Sequence, residues 1–117
     1  MSVRVYEYVK CSTCRKALKF LKNGGIAYTP VAIVDHPPTV PELKAMLGFT
    51  GDIKRLFNTS GVMYRELGIA DKLKKMSSER ALELLAKNGK LVKRPFVLLA
   101  DRGLLGFNEA EWTAAFK

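Results

Sequence analysis

Cysteine, histidine and tryptophan are almost missing from this chain: its 117 residues include two cysteines, one histidine and one tryptophan. Two cysteines and the lone His36 leave a four-ligand zinc site one ligand short, and no second Cys-x-x-Cys supplies it, so no metal site is expected. Acidic residues are also scarce, 11 against 20 lysines and arginines, for a formal charge of +9. Such a balance attracts anions, whether oxyanions, acidic proteins or nucleic acid. The basic residues are spread through the chain, however, with neither a zinc-finger spacing nor an aromatic RNA-binding strand, so direct nucleic-acid binding is not expected. Lys72, Lys74, Lys75, Lys87, Lys90 and Lys93 read as solvated faces that could steer an acidic partner. No apolar run is long enough to span a bilayer, and the first residues lack the pattern of a signal peptide. The expectation is a cytoplasmic protein without a membrane partner. In that compartment a lone cysteine pair stays mostly reduced, and reads as redox-active or metal-binding rather than as a structural disulfide.

What is present suffices for a core. Hydrophobic residues make up 48% of the chain, which excludes disorder, and the length fits one domain over residues 1–117. There is no repeat, linker or low-complexity stretch. Residues 3–8 are β-branched and aromatic, the pattern of a buried strand. Cys11-Ser12-Thr13-Cys14 follows, and then a helix whose apolar face is Cys14, Ala17, Leu18 and Leu21. Asn23-Gly24-Gly25 ends that helix through a left-handed glycine cap. Residues 28–34 form a second strand, giving a parallel βαβ unit.

Asp35-His36-Pro37-Pro38 breaks the strand. Thr39 and Glu42 have capping-box spacing, predicting a helix from Val40 to about Leu47, closed by Gly48 and Gly51. The middle third reads as short helices: stripes at Ile53, Leu56 and Phe57, then at Met63, Tyr64 and Leu67, and a clear helix after Ser77, a predicted N-cap. After Arg94-Pro95, residues 96–99 and 104–107 make a hairpin, and a last helix capped by Asn108 turns Trp112, Ala115 and Phe116 inward. The order β-α-β, helices, β-β-α, with a Cys-x-x-Cys after the first strand and an X-Pro before the third, predicts an α/β thioredoxin-like fold. Its sheet is four-stranded and mixed, with a helical insertion between strands 2 and 3. The Arg94–Pro95 bond is a candidate for the cis isomer, which would set a backbone turn beside the thiols.

The chemistry gathers at the first helix. Cys11 stands at its mouth, where free N–H groups and the helix dipole favour a thiolate, and Lys10, Arg15 and Lys16 add positive charge. Cys14 falls on the apolar stripe, so it is either core or the thiol that resolves a mixed disulfide. Arg94 is held extended by the proline after it, and a planar guanidinium suits an oxyanion or a thiolate.

Four stretches carry a resemblance over essentially the whole length. They are Cys11-Ser12-Thr13-Cys14-Arg15-Lys16-Ala17; Leu56-Phe57-Asn58-Thr59-Ser60-Gly61 followed by Tyr64-Arg65-Glu66-Leu67-Gly68; Leu91-Val92-Lys93-Arg94-Pro95; and Gly106-Phe107-Asn108-Glu109. On these the chain resembles the glutaredoxin-like arsenate reductases and their Spx relatives, and is closer to the reductase-related branch. The resemblance implies a thiol oxidoreductase in which Cys11 attacks substrate, Arg94 steadies the oxyanion and the thiolate, and glutathione or glutaredoxin completes the cycle. No bound cofactor is implied. Asn58 and Gly106 stand where the reductases carry two further arginines, and Cys14 stands where they typically carry serine. Candidate catalytic residues are Cys11, Cys14 and Arg94. Lys10, Ser12, Asn58 and Pro95 are candidate contacts for a small oxyanion or a thiol or disulfide substrate. Spx regulators carry the cysteine pair, which implies an alternative: a Cys11–Cys14 disulfide switch binding the α-subunit of RNA polymerase.

Overall fold

A computed structural model describes residues 3–116; the outermost residues of the expected 1–117 domain lie outside them. Strand β1 (Val3–Glu7) leads into helix α1 (Ser12–Asn23), which returns to strand β2 (Tyr28–Ala32). Helices α2 (Val40–Thr50), α3 (Val62–Glu66), α4 (Ile69–Leu73) and α5 (Ser78–Lys87) follow, with 3-10 turns at Ile53–Leu56 and Gly89–Leu91. Strands β3 (Phe96–Leu98) and β4 (Gly103–Leu105) and helix α6 (Glu109–Ala115) complete the chain. The sheet order is β2-β1-β3-β4, with β1 parallel to β2 and antiparallel to β3, and β3 antiparallel to β4. This is the expected four-stranded mixed sheet with helices inserted between its second and third strands.

Strand alternation divides the interior into two layers. Neighbouring residues of a strand point to opposite faces. Val5 and Val97 therefore join Ala17, Leu21, Leu104 and Trp112 beneath α1 and α6. Tyr6 and Phe96 point the other way, into the larger cluster built by the inserted helices around Leu43, Met46, Phe57 and Leu85. Trp112 is fully buried, and its indole Nε1 donates to the Gly106 carbonyl at 3.1 Å. Gly89 is buried, and a Cβ there would collide with the Ile33 carbonyl, because the turn before β3 lies directly on the chain leaving β2.

The local signals held where they were chemically specific and drifted where they were not. Thr39 and Glu42 form the capping box, and the Ser77 and Asn108 side chains cap α5 and α6. At the end of α1 the Gly25 N–H bonds the Lys22 carbonyl and the Ile26 N–H bonds that of Leu21. This is a Schellman closure with Gly25, at φ +67°, in the left-handed position. Helix α2 runs through Gly48 to Thr50, past the expected end at Leu47, and stops only where Gly51 takes φ +75°. Strand β2 ends at Ala32, two residues early, because the His36 N–H turns back onto the Ala32 carbonyl. Strand β4 covers Gly103–Leu105 and not residues 104–107, because Gly106 turns to φ +70°. Leu67, expected on an apolar stripe, is 40% exposed. Among the described residues no helix is long and apolar enough to cross a membrane.

Candidate functional site

After β1 the chain makes a tight turn closed by the Cys11 N–H on the Tyr8 carbonyl at 2.9 Å. Cys11 is extended, with φ −96° and ψ 113°, and serves as the N-cap of α1. Its Sγ accepts the Cys14 N–H at 3.3 Å, and its carbonyl accepts the Arg15 N–H at 3.2 Å. The sulfur thus takes the place that a serine or aspartate oxygen holds at most helix starts. No acidic residue lies in the first turn of α1, so no carboxylate there offsets the positive end of the helix dipole.

Cys14 lies one turn along, on the face of α1 packed into the fold, and is 1% exposed. Both cysteines are free; Cys11 is half-buried and Cys14 buried. Burial, then the hydrogen bond to Cys11, and also the charge on Cys11, push the Cys14 thiol up to about 12, while the Tyr8 backbone and the charge of Arg94 act in the opposite direction. Ionising a second sulfur beside the first is unfavourable because like charges repel.

Arg94 arrives from the other strand. Tyr6 pairs with Phe96 in the antiparallel β1–β3 ladder, and continuing that register toward the end of β1 sets Arg94 opposite Tyr8. The Arg94 guanidinium carbon lies 4.8 Å from the centre of the Tyr8 ring, over its face. Its Nη1 donates to the Lys90 carbonyl at 3.2 Å. The Arg94–Pro95 bond is cis, Pro95 is buried, and its carbonyl accepts the Gly106 N–H at 3.0 Å.

Of the sequence candidates, Cys11 and Cys14 are joined by the amide-to-sulfur hydrogen bond, and Arg94 meets the turn through the Tyr8 ring. Lys10 and Ser12 are exposed and flank Cys11 in the chain. Asn58 is half-buried on a different framework: its N–H binds the Leu91 carbonyl at 2.7 Å, next to the Phe57–Val92 bridge. Among the described residues its side chain has no hydrogen bond to the thiol turn. The stem of Lys93 lies across Gly106, 3.2 Å from where a Cβ would stand. His36 is exposed, and among the described residues no three His, Cys, Asp or Glu side chains are grouped to hold a metal ion. Sequence reasoning treated Tyr8 only as the end of a strand. The available signal was an aromatic residue at the strand terminus just before the cysteine turn, with an arginine placed opposite by strand pairing.

The chain is similar to other proteins along nearly its whole length. The chain is 44% identical over 113 residues to the uncharacterized protein YusI of Bacillus subtilis (strain 168), covering 96% of each. It is 32% identical to an arsenate reductase of Rhizobium meliloti (strain 1021), over 84% of this chain and 69% of that one. It is 30% identical to the global transcriptional regulator Spx 2 of Bacillus anthracis, over 93% and 82%. The crystal structure of an ArsC family related protein from Bacteroides fragilis superposes with a TM-score of 0.90, at 48% identity and 97% coverage of both chains. The ArsC family pattern itself matches residues 6–115, from the middle of β1 to the end of α6, and the chain belongs to the ArsC family, with its thioredoxin-like fold.

Proposed function

We propose that this protein is a cytoplasmic, glutaredoxin-like thiol–disulfide oxidoreductase with Cys11 as its thiolate nucleophile and Cys14 as its resolving thiol. One observation carries the reading. The Cys11 sulfur caps α1 without a competing first-turn carboxylate, one turn from a second free thiol, in a turn that begins at Tyr8, over whose ring the Arg94 guanidinium lies.

In the first step the Cys11 thiolate attacks one sulfur of a disulfide. A Cys11–sulfur bond forms, the substrate S–S bond breaks, and the departing thiolate takes the electron pair and then a proton from solvent. The N–H groups of α1 and the Arg94 guanidinium stabilise the negative charge on sulfur. Cys14 then attacks the Cys11 sulfur, expels the second substrate thiolate and closes a Cys11–Cys14 disulfide. Two glutathione thiols, or a glutaredoxin dithiol, return the pair to its reduced state. Part of what holds Cys14 protonated is the charge on Cys11. Once Cys11 is bound in a mixed disulfide that charge is gone, while Arg94 and the Tyr8 backbone remain. The resolving thiol therefore ionises more readily at the step that uses it.

Disulfides suit this site better than arsenate. The reductases that the chain resembles use three arginines, and only Arg94 is in place. Gly106 has φ +70° and the Lys93 stem lies across it, so an arginine there would be strained and would displace that stem. The cysteine pair also fits an Spx-type switch that binds the RNA polymerase α-subunit; a pull-down with that subunit, in oxidised and reduced states, separates the two readings.

The test is turnover of the mixed disulfide of glutathione and 2-mercaptoethanol, with glutathione as reductant. A parallel assay supplies arsenate, glutathione and glutaredoxin. Wild type is expected to reduce the disulfide, Cys11→Ser to be inactive, and arsenate reduction to stay at background. Wild type as inert as Cys11→Ser in both assays ends the proposal.

A further inference from the structure

We infer that Tyr8 is a positioning residue of the thiol site, seating the Arg94 guanidinium on its ring face while its carbonyl anchors the Cys11 turn. The inference rests on the oxidoreductase reading and assigns the residue through which Arg94 reaches the sulfur pair.

Tyr8 touches every part of the site. Its carbonyl accepts the Cys11 N–H at 2.9 Å, its backbone acts on the Cys14 thiol, and its ring lies 4.8 Å from the Arg94 guanidinium carbon. Arg94 has few other restraints. Its side chain makes one hydrogen bond among the described residues, from Nη1 to the Lys90 carbonyl, and it is in neither of the ion pairs found there, Arg4–Glu42 and Arg102–Asp101. An unpaired arginine ordinarily samples many rotamers.

The nature of the partner matters. A carboxylate would fix Arg94 but neutralise it, removing the positive field that a thiolate needs. An aromatic face holds the cation through the ring quadrupole without cancelling its charge, and leaves the in-plane N–H donors open. The Tyr8 hydroxyl has no hydrogen bond among those found, so the ring is the working part and phenylalanine should replace it.

The experiment follows the alkylation of Cys11 against pH in a Cys14→Ser background, where one thiol reports. Arg94→Ala is expected to slow alkylation at neutral pH and to move the profile to higher pH. Tyr8→Leu should reproduce much of that effect, about threefold to tenfold in rate, as loss of a cation–π contact implies. Tyr8→Phe should behave like the parent, and the Tyr8→Leu, Arg94→Ala double variant should be no slower than Arg94→Ala alone. If Arg94→Ala moves the profile and Tyr8→Leu does not, the inference is overturned and the oxidoreductase reading stands. If Arg94→Ala has no effect, the inference fails, whereas the nucleophile assignment depends only on disulfide turnover and its loss in Cys11→Ser. A readout independent of folding of the variants is the NMR spectrum of the wild-type protein. The Arg94 side-chain protons should be shifted upfield by the Tyr8 ring current, and unshifted resonances would overturn the inference.

Discussion

Two helix N-termini meet the same strand and are used in opposite ways. At α2, the Thr39 hydroxyl accepts the Glu42 N–H, and Glu42 Oε1 accepts the Thr39 N–H at 3.0 Å. The same oxygen accepts the Tyr6 hydroxyl at 2.8 Å, and Arg4 lies 4.0 Å from Oε2. Burial, then this bond to Glu42, push the Tyr6 phenol up. That terminus is saturated: the Glu42 carboxylate closes the capping box and ties helix to sheet through Tyr6. At α1 the capping atom is a thiol sulfur that accepts one amide N–H, and the first turn holds no acidic residue. A helix start that already holds a carboxylate serves structure, whereas one capped by a thiol with no acid in its first turn keeps its dipole available to a negative sulfur.

Substitutions at the two termini test this contrast. The largest effect is expected from Cys11→Ser. A serine caps the helix at least as well but is not a thiolate, so disulfide turnover should fall about a thousandfold or more with little change in stability. An unfolding curve beside the turnover assay checks both halves.

Next comes the pH dependence of stability carried by Cys14. Its thiol is pushed up to about 12 from an ordinary 9.0. Below that ordinary value both folded and unfolded chains hold the proton, and the contribution is complete. Between about 9 and about 12 the unfolded chain loses the proton first, so stability falls as pH rises. Urea unfolding of wild type from neutral to alkaline pH should show a downward slope that is shallower in Cys14→Ala. The Tyr6 phenol titrates in both proteins and drops out of the comparison.

At the saturated terminus, Thr39→Ala should lower stability by about 1 kcal/mol and leave disulfide turnover within about twofold, since no thiol depends on it. Denaturant midpoints and turnover on the same preparations test this. The smallest effect is the most pointed. Ser12→Asp puts a carboxylate into the first turn of α1, making it resemble α2. The helix should gain a few tenths of a kcal/mol, while Cys11 alkylation at neutral pH slows about threefold, because the new anion competes for the dipole. Alkylation that is unchanged or faster would count against a dipole-supported thiolate.

Much of this was legible in the sequence wherever a single turn of chain decides the structure. The Thr39–Glu42 box, the Ser77 and Asn108 caps and the place of Cys11 at the start of α1 follow from residues within one turn of each other. The alternation that sends Val5 and Tyr6 to opposite faces is equally local. Glycine was less informative by itself: Gly48 sits inside α2 while Gly51 ends it, and Gly106 ends β4 earlier than the hydrophobic pattern suggests. A glycine permits a left-handed turn, and packing chooses which glycine takes it. Asn58 shows a related limit. Its motif was recognisable, but its position beside the Leu91 carbonyl depends on a bridge between the inserted segment and the chain before β3.

Covalent spacing alone places a cysteine at the start of the first helix with no acid in its first turn, because capping is decided by backbone geometry over a few residues. The placing of the Arg94 guanidinium over the Tyr8 ring, by contrast, came from the fold as a whole. That meeting depends on the antiparallel register of β1 and β3, fixed where Tyr6 pairs with Phe96 and packs edge-on against its ring at 5.7 Å. A register between distant strands is chosen by the shape and burial of the whole core, and no local pattern specifies it.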